Sequence, residues 1–459
     1  MLRVTNHLSQ QAYRQAFVRL WVLGLDNPTL REWELQRGST QAFSAAKAQC
    51  QAALDSEKHL AAEFVEKNPL ALLVALDDYL FTGRSLSAPS LRRSNRTLTQ
   101  YSEGGKSYWL VPVLLNNRRQ AALAGQHGNL SHWVHHHCVL PSVTPHGIHV
   151  TLQHTQSTVD DKLNTLWLAD EPHLKVWIAH FDDQATVHGS TAQSAVGDWR
   201  ATHIAPHDAR MASLRRTMDD AQAACAHAIV FPELTIDMAQ RALLTQRLQK
   251  QVDSHLVLLQ TGSFHETLAM EGQTAKTFNT APLLNAQGRA LLTHRKLRPF
   301  SKVGSSIDPV TEDISSGDSI HVLATPVGLL TVLICKDFLD VHQSVQTLLS
   351  DVPVEWVLVP SFGDEKTVRQ HKARAKTLGH VQTGGHTVLA QIFNNFDDST
   401  RQPTECVRGF GHIGGNAAPE SQVDKNGGLV VFPLQRNAPS NEPSNTPLYE
   451  PKTPLKSVK

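Results

Sequence analysis

Three short strings of the sequence end apolar, strand-like runs on side chains that can do chemistry. LLTVLICKDF carries Cys335, FPEL carries Glu233 and HRKLRPF carries Lys296. A thiol becomes a nucleophile once it loses its proton, a carboxylate can take that proton, and an ammonium can stabilise developing negative charge. Because functional groups gather where the strands of α/β proteins end, we expect the three side chains to meet. Taken alone, Cys335 would be interpreted as a core cysteine and Lys296 as an exposed hairpin lysine.

The elements that must position these residues are predicted from residue 171 to residue 435, where strand-like and helix-like segments alternate. Strands are predicted in KVWIAHFD, IVFPEL, SHLVLLQTGSF, VEWVLVPS, HTVLAQIFNN and GGLVVFPL. Two hairpins are predicted in TFNTAPLLNAQGRALLTHRKL and HVLATPVGLLTVLICKD. Amphipathic spacing predicts helices in DARMASLRRTMDDAQAACAHA and KTVRQHKARAKTLGHVQTG. This pattern predicts an α/β domain.

Residues 1–170 predict a separate N-terminal domain that is mostly helical with a few strands and whose fold and function are unknown. Apolar residues at three- and four-residue spacing predict helices over residues 8–82, with Asn68-Pro69 between two of them. SYWLVPVLLNN and GIHVTLQHT are typical of strands. At the other end, residues 436–459 are rich in Pro, Ser and Asn and are predicted to be disordered.

Composition argues against several classes of protein. Lys and Arg total 43 while Asp and Glu total 42, so we do not expect a nucleic-acid partner. The five cysteines are scattered and odd in number, which indicates a reducing compartment rather than a disulfide framework. We find neither a signal peptide nor an apolar run of about 18 residues, and we therefore expect a cytoplasmic protein without a membrane partner.

Three further strings resemble ligand sites. HWVHHHC, residues 132–138, could hold zinc, but the usual paired spacings are missing and consecutive strand residues point to opposite faces, so we predict no metal. The adjacent aspartates of VALDDY, residues 74–79, can bind magnesium in polymerases, but their helical context argues against that site. A cluster of arginines could contact phosphates, although a solvated loop is favoured: Arg92, Arg93 and Arg96.

Taken together, the segments from about residue 174 to residue 435 resemble the nitrilase, or carbon–nitrogen hydrolase, superfamily. That family has an FPE string, an RK string after a hairpin, and a cysteine string that starts at a glycine. The matching strings here are Phe231-Pro232-Glu233, Arg295-Lys296 and the segment from Gly328 to Asp337. An opening strand, NTA at 279–281, VLVPS and KARA at 372–375 follow the family order. The resemblance implies a four-layer αββα sandwich and a homodimer or larger homo-oligomer.

The resemblance also implies an activity, namely hydrolysis of a non-peptide carbon–nitrogen bond in a small amide, nitrile or carbamoyl compound. Cys335 would attack the carbonyl or nitrile carbon and form an acyl-enzyme, with Glu233 as general base and then general acid. Lys296 and the backbone N–H of Lys336 would stabilise the oxyanion. Water activated by Glu233 would then release the acid, and no metal or organic cofactor is required.

The resemblance suggests further site residues. Glu312 stands ahead of Gly317, where the family often has a second glutamate. It would orient Lys296 and the incoming water, although an exposed loop acid is the alternative. Three residues that flank the motif loops could line the substrate pocket or simply pack there: Arg298, Phe300 and Phe362.

The N-terminal 170 residues lie outside the resemblance, which keeps a second function open. In that alternative, the nitrilase-like domain is an effector that the N-terminal domain regulates in a bacterial defence or signalling system. A binding protein that has the fold without turnover is a third interpretation, and the intact Glu233, Lys296 and Cys335 argue against it.

Overall fold

A computed structural model of the protein describes most of the chain between Gln10 and Leu434. The described residues are 10–36, 38–56, 60–82, 99–113, 130, 133–179, 186–191, 198–205, 207–250, 254–270, 273–302, 310–339, 345, 348–349, 354–363, 365–382, 385–393, 409–414, 421–423 and 427–434. The predicted disordered tail and the cluster of Arg92, Arg93 and Arg96 lie outside them.

The first part of the chain contains helices followed by a small antiparallel sheet. The helices are α1 (Gln10–Gly24), α2 (Asn27–Gln36), α3 (Thr40–Asp55), α4 (Ala62–Lys67) and α5 (Pro69–Thr82). Pro69 can begin α5 because the first turn of a helix needs no amide hydrogen from that position. The strands are β1 (Gln100–Glu103), β2 (Lys106–Pro112) and β3 (His137–Pro141), paired in the order β1-β2-β3.

A buried aspartate joins α5 to β3 in this part of the chain. Oδ2 of Asp77 accepts the backbone N–H groups of His135 and His136 at 2.7 and 2.9 Å, and Oδ1 lies 3.0 Å from Nδ1 of His137. Burial opposes ionisation of Asp77, but the hydrogen bond with His137 and the charges of His136 and His137 outweigh it and hold its pKa below the usual range. The three histidines are therefore placed by one carboxylate.

The remaining elements form two large sheets, a small sheet and their helices. In chain order they are β4 (His149–His154), α6 (Ser157–Leu168), β5 (His173–Ile178), β6 (Thr186–Thr191), β7 (Asp198–Ala205), α7 (His207–Ala223), β8 (Ala228–Val230), α8 (Met238–Lys250), β9 (Leu258–Gln260), β10 (Phe264–Met270), β11 (Gln273–Asn285), β12 (Ala290–Arg295), β13 (Ser301–Lys302), β14 (Val310–Glu312), β15 (Ser319–Thr325), β16 (Gly328–Val332), α9 (Lys336–Leu339), β17 (Trp356–Gly363), α10 (Glu365–Lys376), β18 (His386–Phe393), β19 (Gly409–His412), β20 (Ser421–Val423) and β21 (Gly428–Pro433). A π-helical turn, Thr377–Gln382, follows α10 directly.

The two large sheets have seven strands each. The first has the order β10-β11-β9-β8-β5-β21, with β12 beside β11, and the second has the order β20-β19-β18-β17-β16-β15-β4. The predicted hairpin turn between β11 and β12 is confirmed, and Gly288 has a φ of 74° there, which glycine adopts without strain. The small sheet has the order β13-β14-β7-β6.

The sheets share one hydrophobic core. Side chains of the first sheet such as Val176 and Leu283 belong to the same buried cluster as Leu330 and Leu358 of the second. On the first sheet, apolar residues of α7 and α8 form another cluster with Ile229 and neighbouring strand residues. The predicted four-layer αββα arrangement is consistent with these clusters and stays a prediction.

Strand β4 lies before the predicted domain boundary at residue 170 but belongs to the second large sheet. It pairs in parallel with β15 over six residues, from His149 opposite Ser319 to His154 opposite Ala324. A buried cluster also joins residues of α1–α5 to residues of β4, β15 and β17. Sheet pairing therefore crosses residue 170, and the division into domains at that residue stays a prediction. None of the described helices is long and apolar enough to span a membrane.

Candidate active site

Glu233 lies at the turn that follows β8, at the junction of the two large sheets. Its backbone N–H donates to the carbonyl oxygen of Ser361 in β17 at 3.3 Å, and its side chain is only 2% exposed. Leu234 has a positive φ of 56°, so the turn after Glu233 is sharp. A side chain at position 262 would lie 2.2 Å from the carbonyl oxygen of Pro232, which explains Gly262. Close backbone packing thus fixes the turn that carries Glu233.

Lys296 follows β12 directly and bridges two carboxylates. Its Nζ lies 2.8 Å from Oε1 of Glu233 and 2.8 Å from Oε2 of Glu312. The side chain is 1% exposed, which excludes an exposed hairpin lysine. Burial disfavours its charge, but the two carboxylates outweigh burial and raise the pKa of Lys296 above its usual range. The two carboxylates therefore favour the charged form of Lys296.

Glu312 is buried, not an exposed loop acid, and four donors satisfy its oxygens. Oε1 accepts Nε2–H of His265 at 2.9 Å and Nδ2–H of Asn279 at 2.8 Å, while Oε2 accepts Lys296 and the backbone N–H of Phe300 at 3.0 Å. Burial opposes its charge, but Lys296 and His265 outweigh burial and lower the pKa of Glu312 to about 2. Glu312 is thus an anion that holds Lys296.

Two residues of this network were not predicted to have a role. Nδ2 of Asn279 donates to Oε1 of Glu233 at 2.9 Å as well as to Glu312, so it links both carboxylates. Nδ1 of His265 accepts the backbone N–H of Ala201 at 2.9 Å, which leaves the proton on Nε2, facing Glu312. The NTA string pointed to Asn279, whereas nothing in the sequence singled out His265.

Cys335 stands at a sharp turn between β16 and α9. Its φ is 44°, a left-handed value that a non-glycine residue rarely adopts, and strain of this kind is concentrated at functional sites. Its backbone N–H donates to the carbonyl oxygen of Pro360 at 2.9 Å. Its Sγ lies 3.3 Å from Oγ of Ser361 and 3.7 Å from the carbonyl oxygen of Phe362. The strand, turn and short helix present the sulfur as a nucleophile elbow does.

Burial raises the pKa of both Glu233 and the Cys335 thiol. Burial raises the pKa of Glu233 to about 7, against the opposing charge of Lys296, and a hydrogen bond with Cys335 is among the lesser effects. Burial and the charge of Glu233 raise the pKa of the Cys335 thiol to about 12, with Lys296 opposing. Burial thus favours the uncharged, protonated form of both side chains, which are in hydrogen-bond contact with each other.

Sequence comparison shows which protein family this part of the chain resembles. Residues 200–340 match the family model of the carbon–nitrogen hydrolases. This matched segment contains Glu233, Lys296, Glu312 and Cys335, and the match confirms the resemblance to the carbon–nitrogen hydrolase superfamily. No curated protein matches the chain.

Solved structures give further similarities. These are a glutamine-dependent NAD+ synthetase from Acinetobacter baumannii (16% identity, TM-score 0.39, covering 57% of this chain and 45% of that chain), the C. elegans NitFhit protein (13%, 0.39, 57% and 60%) and an amidase from Nesterenkonia sp. (16%, 0.38, 58% and 93%). The chain thus spans less than half of the synthetase and about three fifths of NitFhit.

The other predicted residues lie around the network of Glu233, Lys296 and Glu312 in different ways. Lys336 is the first residue of α9. Its side chain is exposed, and Nζ lies 3.4 Å from the carbonyl oxygen of Pro299. The side chain of Arg298 is exposed. Phe300 and Phe362 are partly buried against one apolar cluster: Trp199, Ala201, Ile204, Leu234 and Phe264. Nζ of Lys296 lies 5.5 Å from the centre of the Phe300 ring.

Asp337, in the turn after Cys335, is 0% exposed and reaches protein partners rather than solvent. A buried carboxylate must be satisfied by donors, and three backbone or ring N–H groups of the Lys296 region supply them.

A separate group of residues brings possible metal ligands together. Ligand atoms of Asp77, Asp78 and His136 lie within 4.8 Å of one another. Protein donors already contact both carboxylates, because Asp77 accepts backbone N–H groups and Nζ of Lys47 lies 2.6 Å from Oδ2 of Asp78. These contacts favour a structural role, in which the two aspartates hold the histidine segment 135–137 by hydrogen bonds, over a metal site.

Proposed function

We propose that the matched segment, residues 200–340, carries a cysteine-dependent site. This site hydrolyses a non-peptide carbon–nitrogen bond in a small amide, nitrile or carbamoyl compound. The observation that carries the proposal is the closed, buried network in which Lys296 bridges Glu233 and Glu312 beside the Cys335 thiol. A buried cation between two carboxylates next to a strained cysteine costs stability, and catalysis gives a reason for that cost.

In the acylation step of the proposed mechanism, Sγ of Cys335 attacks the carbonyl carbon while its proton passes to Glu233. The carbonyl electron pair moves to oxygen, where Lys296 and the backbone N–H of Lys336 stabilise the negative charge. The tetrahedral intermediate then collapses, the carbon–nitrogen bond breaks, and the nitrogen takes the proton from Glu233. Ammonia or an amine leaves, and a thioester remains on Cys335.

In the deacylation step, water attacks the thioester carbon and gives a proton to Glu233. The second tetrahedral intermediate expels the sulfur of Cys335, which takes the proton back, and the carboxylic acid leaves. A nitrile would form a thioimidate on the same sulfur. A first water would add to it and ammonia would leave to give the thioester, which a second water would hydrolyse as above. No metal or organic cofactor takes part in the proposed steps.

Glu312 and its donors have a supporting role in this proposal. Glu312 stays ionised because its oxygens accept four hydrogen bonds, so it orients Lys296 without competing with Glu233 for the proton. Phe300 and Phe362, which pack on an apolar cluster, would line the substrate pocket and favour a small uncharged acyl group. A homodimer and the four-layer sandwich are parts of the same proposal and rest on the resemblance, whereas a cytoplasmic location rests on the scattered cysteines.

The first test measures the reactivity of each cysteine without a known substrate. In native protein, iodoacetamide should alkylate Cys335 at least about 10-fold faster than the buried Cys50 and Cys138. Site-resolved mass spectrometry measures the alkylation rate of each cysteine. The Glu233→Gln variant should lose this excess, because the thiol then has no base. Mass spectrometry with a panel of small amides and nitriles should detect the covalent adduct on Cys335 alone.

The matched controls are two alanine variants. Cys335→Ala should abolish turnover of any amide or nitrile that the panel identifies, whereas Cys225→Ala removes a partly buried cysteine outside the network and should keep it. Turnover that survives in Cys335→Ala would contradict the proposal.

The pH dependence of Cys335 alkylation should follow the ionisation of Glu233. Because a general base must be deprotonated to accept a proton, the alkylation rate should fall as the pH drops through about 7, the raised pKa of Glu233. Below that pH the rate should lose about tenfold per pH unit, as a single ionisation requires. The measurement is the rate between pH 5 and pH 9, and a profile that is flat across pH 7 would contradict the role of Glu233.

A further inference from the structure

Asp337 connects the turn that carries Cys335 to the loop that carries Lys296. Its Oδ1 accepts the backbone N–H groups of Leu297 and Arg298, both at 3.1 Å, and its Oδ2 lies 3.1 Å from the N–H of Leu297. Leu297 and Arg298 directly follow Lys296, and Asp337 comes two residues after Cys335. One carboxylate therefore spans the two segments.

The same carboxylate also holds the strand before Lys296. Nε2 of His294, in β12, lies 2.8 Å from Oδ2 of Asp337, and both side chains are 0% exposed. Because an ionised carboxylate only accepts hydrogen bonds, the His294 nitrogen must donate. Donors on both sides of Lys296 thus converge on Asp337.

We propose that Asp337 is a positioning residue that sets the placement of Lys296 relative to Cys335, with His294 as its fixed partner. This inference rests on the proposed function, since it assigns a role within the same reaction. Asp337 contacts neither Glu233 nor Glu312 among the described hydrogen bonds, so it acts through the backbone of the lysine loop. The N–H of Lys336 lies between Cys335 and Asp337 in the chain, so the oxyanion donor is held by the same contacts.

The physical reason is that catalytic geometry tolerates little displacement. A shift of about 1 Å in a positioned group can cost about 100-fold in rate. Without the Asp337 carboxylate, the N–H groups of Leu297 and Arg298 would be left in a largely buried place without their acceptor, and the lysine loop would move to find another. Lys296 would then no longer face the oxygen of the substrate at the same distance.

The test compares Asp337→Asn, Asp337→Ala and His294→Gln with the wild type. Asparagine retains one acceptor oxygen for the lysine loop, so we expect Asp337→Asn to reduce the Cys335 alkylation rate about 10-fold and Asp337→Ala about 100-fold. With a substrate from the amide and nitrile panel, kcat should fall by the same factors while KM changes by less than about 3-fold. His294→Gln retains a donor and should resemble Asp337→Asn.

The controls separate this inference from the proposed function. Asp219→Asn changes an exposed aspartate of α7 that pairs with Arg247, and it should leave alkylation of Cys335 unchanged. If Cys335 of the wild type reacts no faster than Cys50, the proposed function fails. If wild-type Cys335 is fast and remains equally fast in folded Asp337→Asn, the inference is overturned. Should Asp337→Asn not fold, unchanged alkylation and kcat in His294→Gln overturn it instead.

Discussion

Replacing Lys296 with methionine should destabilise the protein by about 3–5 kcal/mol at neutral pH and abolish Cys335-dependent turnover, because two carboxylates would remain buried without their cation. The penalty should depend on pH. Without Lys296, both carboxylates bind protons more tightly in the folded state than in the unfolded state, so the variant should lose stability as the pH rises above about 4.5. Urea unfolding of wild type and variant at pH 5 and pH 8 should therefore show a larger difference at pH 8.

Two further variants make this prediction specific. Glu312→Gln added to Lys296→Met removes one buried charge and should restore part of the stability without restoring turnover. Lys67→Met breaks an exposed pair with Glu63 in α4 and should cost about 0.5 kcal/mol or less, since solvent screens such pairs. Equal losses for Lys296→Met at both pH values would show that lost packing, not unpaired charge, causes the effect.

The second large effect expected is a loss of stability in mild acid. Burial lowers the pKa of His386 to about 3 and the pKa values of His227 and His371 to about 4, against an ordinary value of 6.5. Below pH 6.5 the unfolded chain takes up these protons and the folded protein does not, so stability falls as the pH drops from about 6.5 toward 4. Each histidine contributes about 1.4 kcal/mol per pH unit within that interval.

Glu233 and Glu312 also affect how the free energy of unfolding depends on pH. Glu233, whose pKa is raised to about 7, binds a proton in the folded state between pH 7 and 4.5 and offsets one histidine, so the net slope should be about 3 kcal/mol per pH unit. Glu312, with a pKa of about 2, loses its contribution only below pH 4.5. Urea midpoints at pH 7, 6 and 5 measure the slope.

The matched histidine variants are His386→Gln and His146→Gln. The ring centre of His386 stacks 4.3 Å from that of Trp356 in the shared core. Its replacement removes one titrating group and should reduce the slope by about 1.4 kcal/mol per pH unit, whatever it does to stability at pH 7. His146 is exposed, and its replacement should leave the slope as in wild type. A wild-type midpoint that stays constant from pH 7 to pH 5 would rule out the buried neutral histidines.

The sequence predicts the parts of the site that follow apolar runs. Cys335, Glu233 and Lys296 each end a strand-like segment, and motif order was enough to place them together. The contacts of Asn279, His265 and Asp337 could not be predicted, because each reaches a partner at least 33 residues away along the chain. Side-chain pairing at such separations depends on the packing of the sheets, which local patterns do not encode.

In the fold, too, local features could be predicted and pairings between distant segments could not. Apolar runs and turn residues predicted the hairpin of β11 and β12, since both signals are local. Strand β10 was missed because FHETLAM mixes polar and apolar residues in a segment that pairs with β11. The position of β4 was missed because its parallel partner β15 lies about 170 residues later, and parallel pairing leaves no turn signal in the sequence.

The parallel pairing of β4 with β15 has a consequence for any shortened form of the protein. A fragment that starts at residue 171 would lack β4, and β15 would become an edge strand with a row of unpaired N–H and C=O groups. Buried residues such as Ile320 and Val322 would gain solvent exposure beside that edge. Such an edge is a template for intermolecular pairing, so the fragment should aggregate, and a fragment meant to stay monomeric should begin before His149.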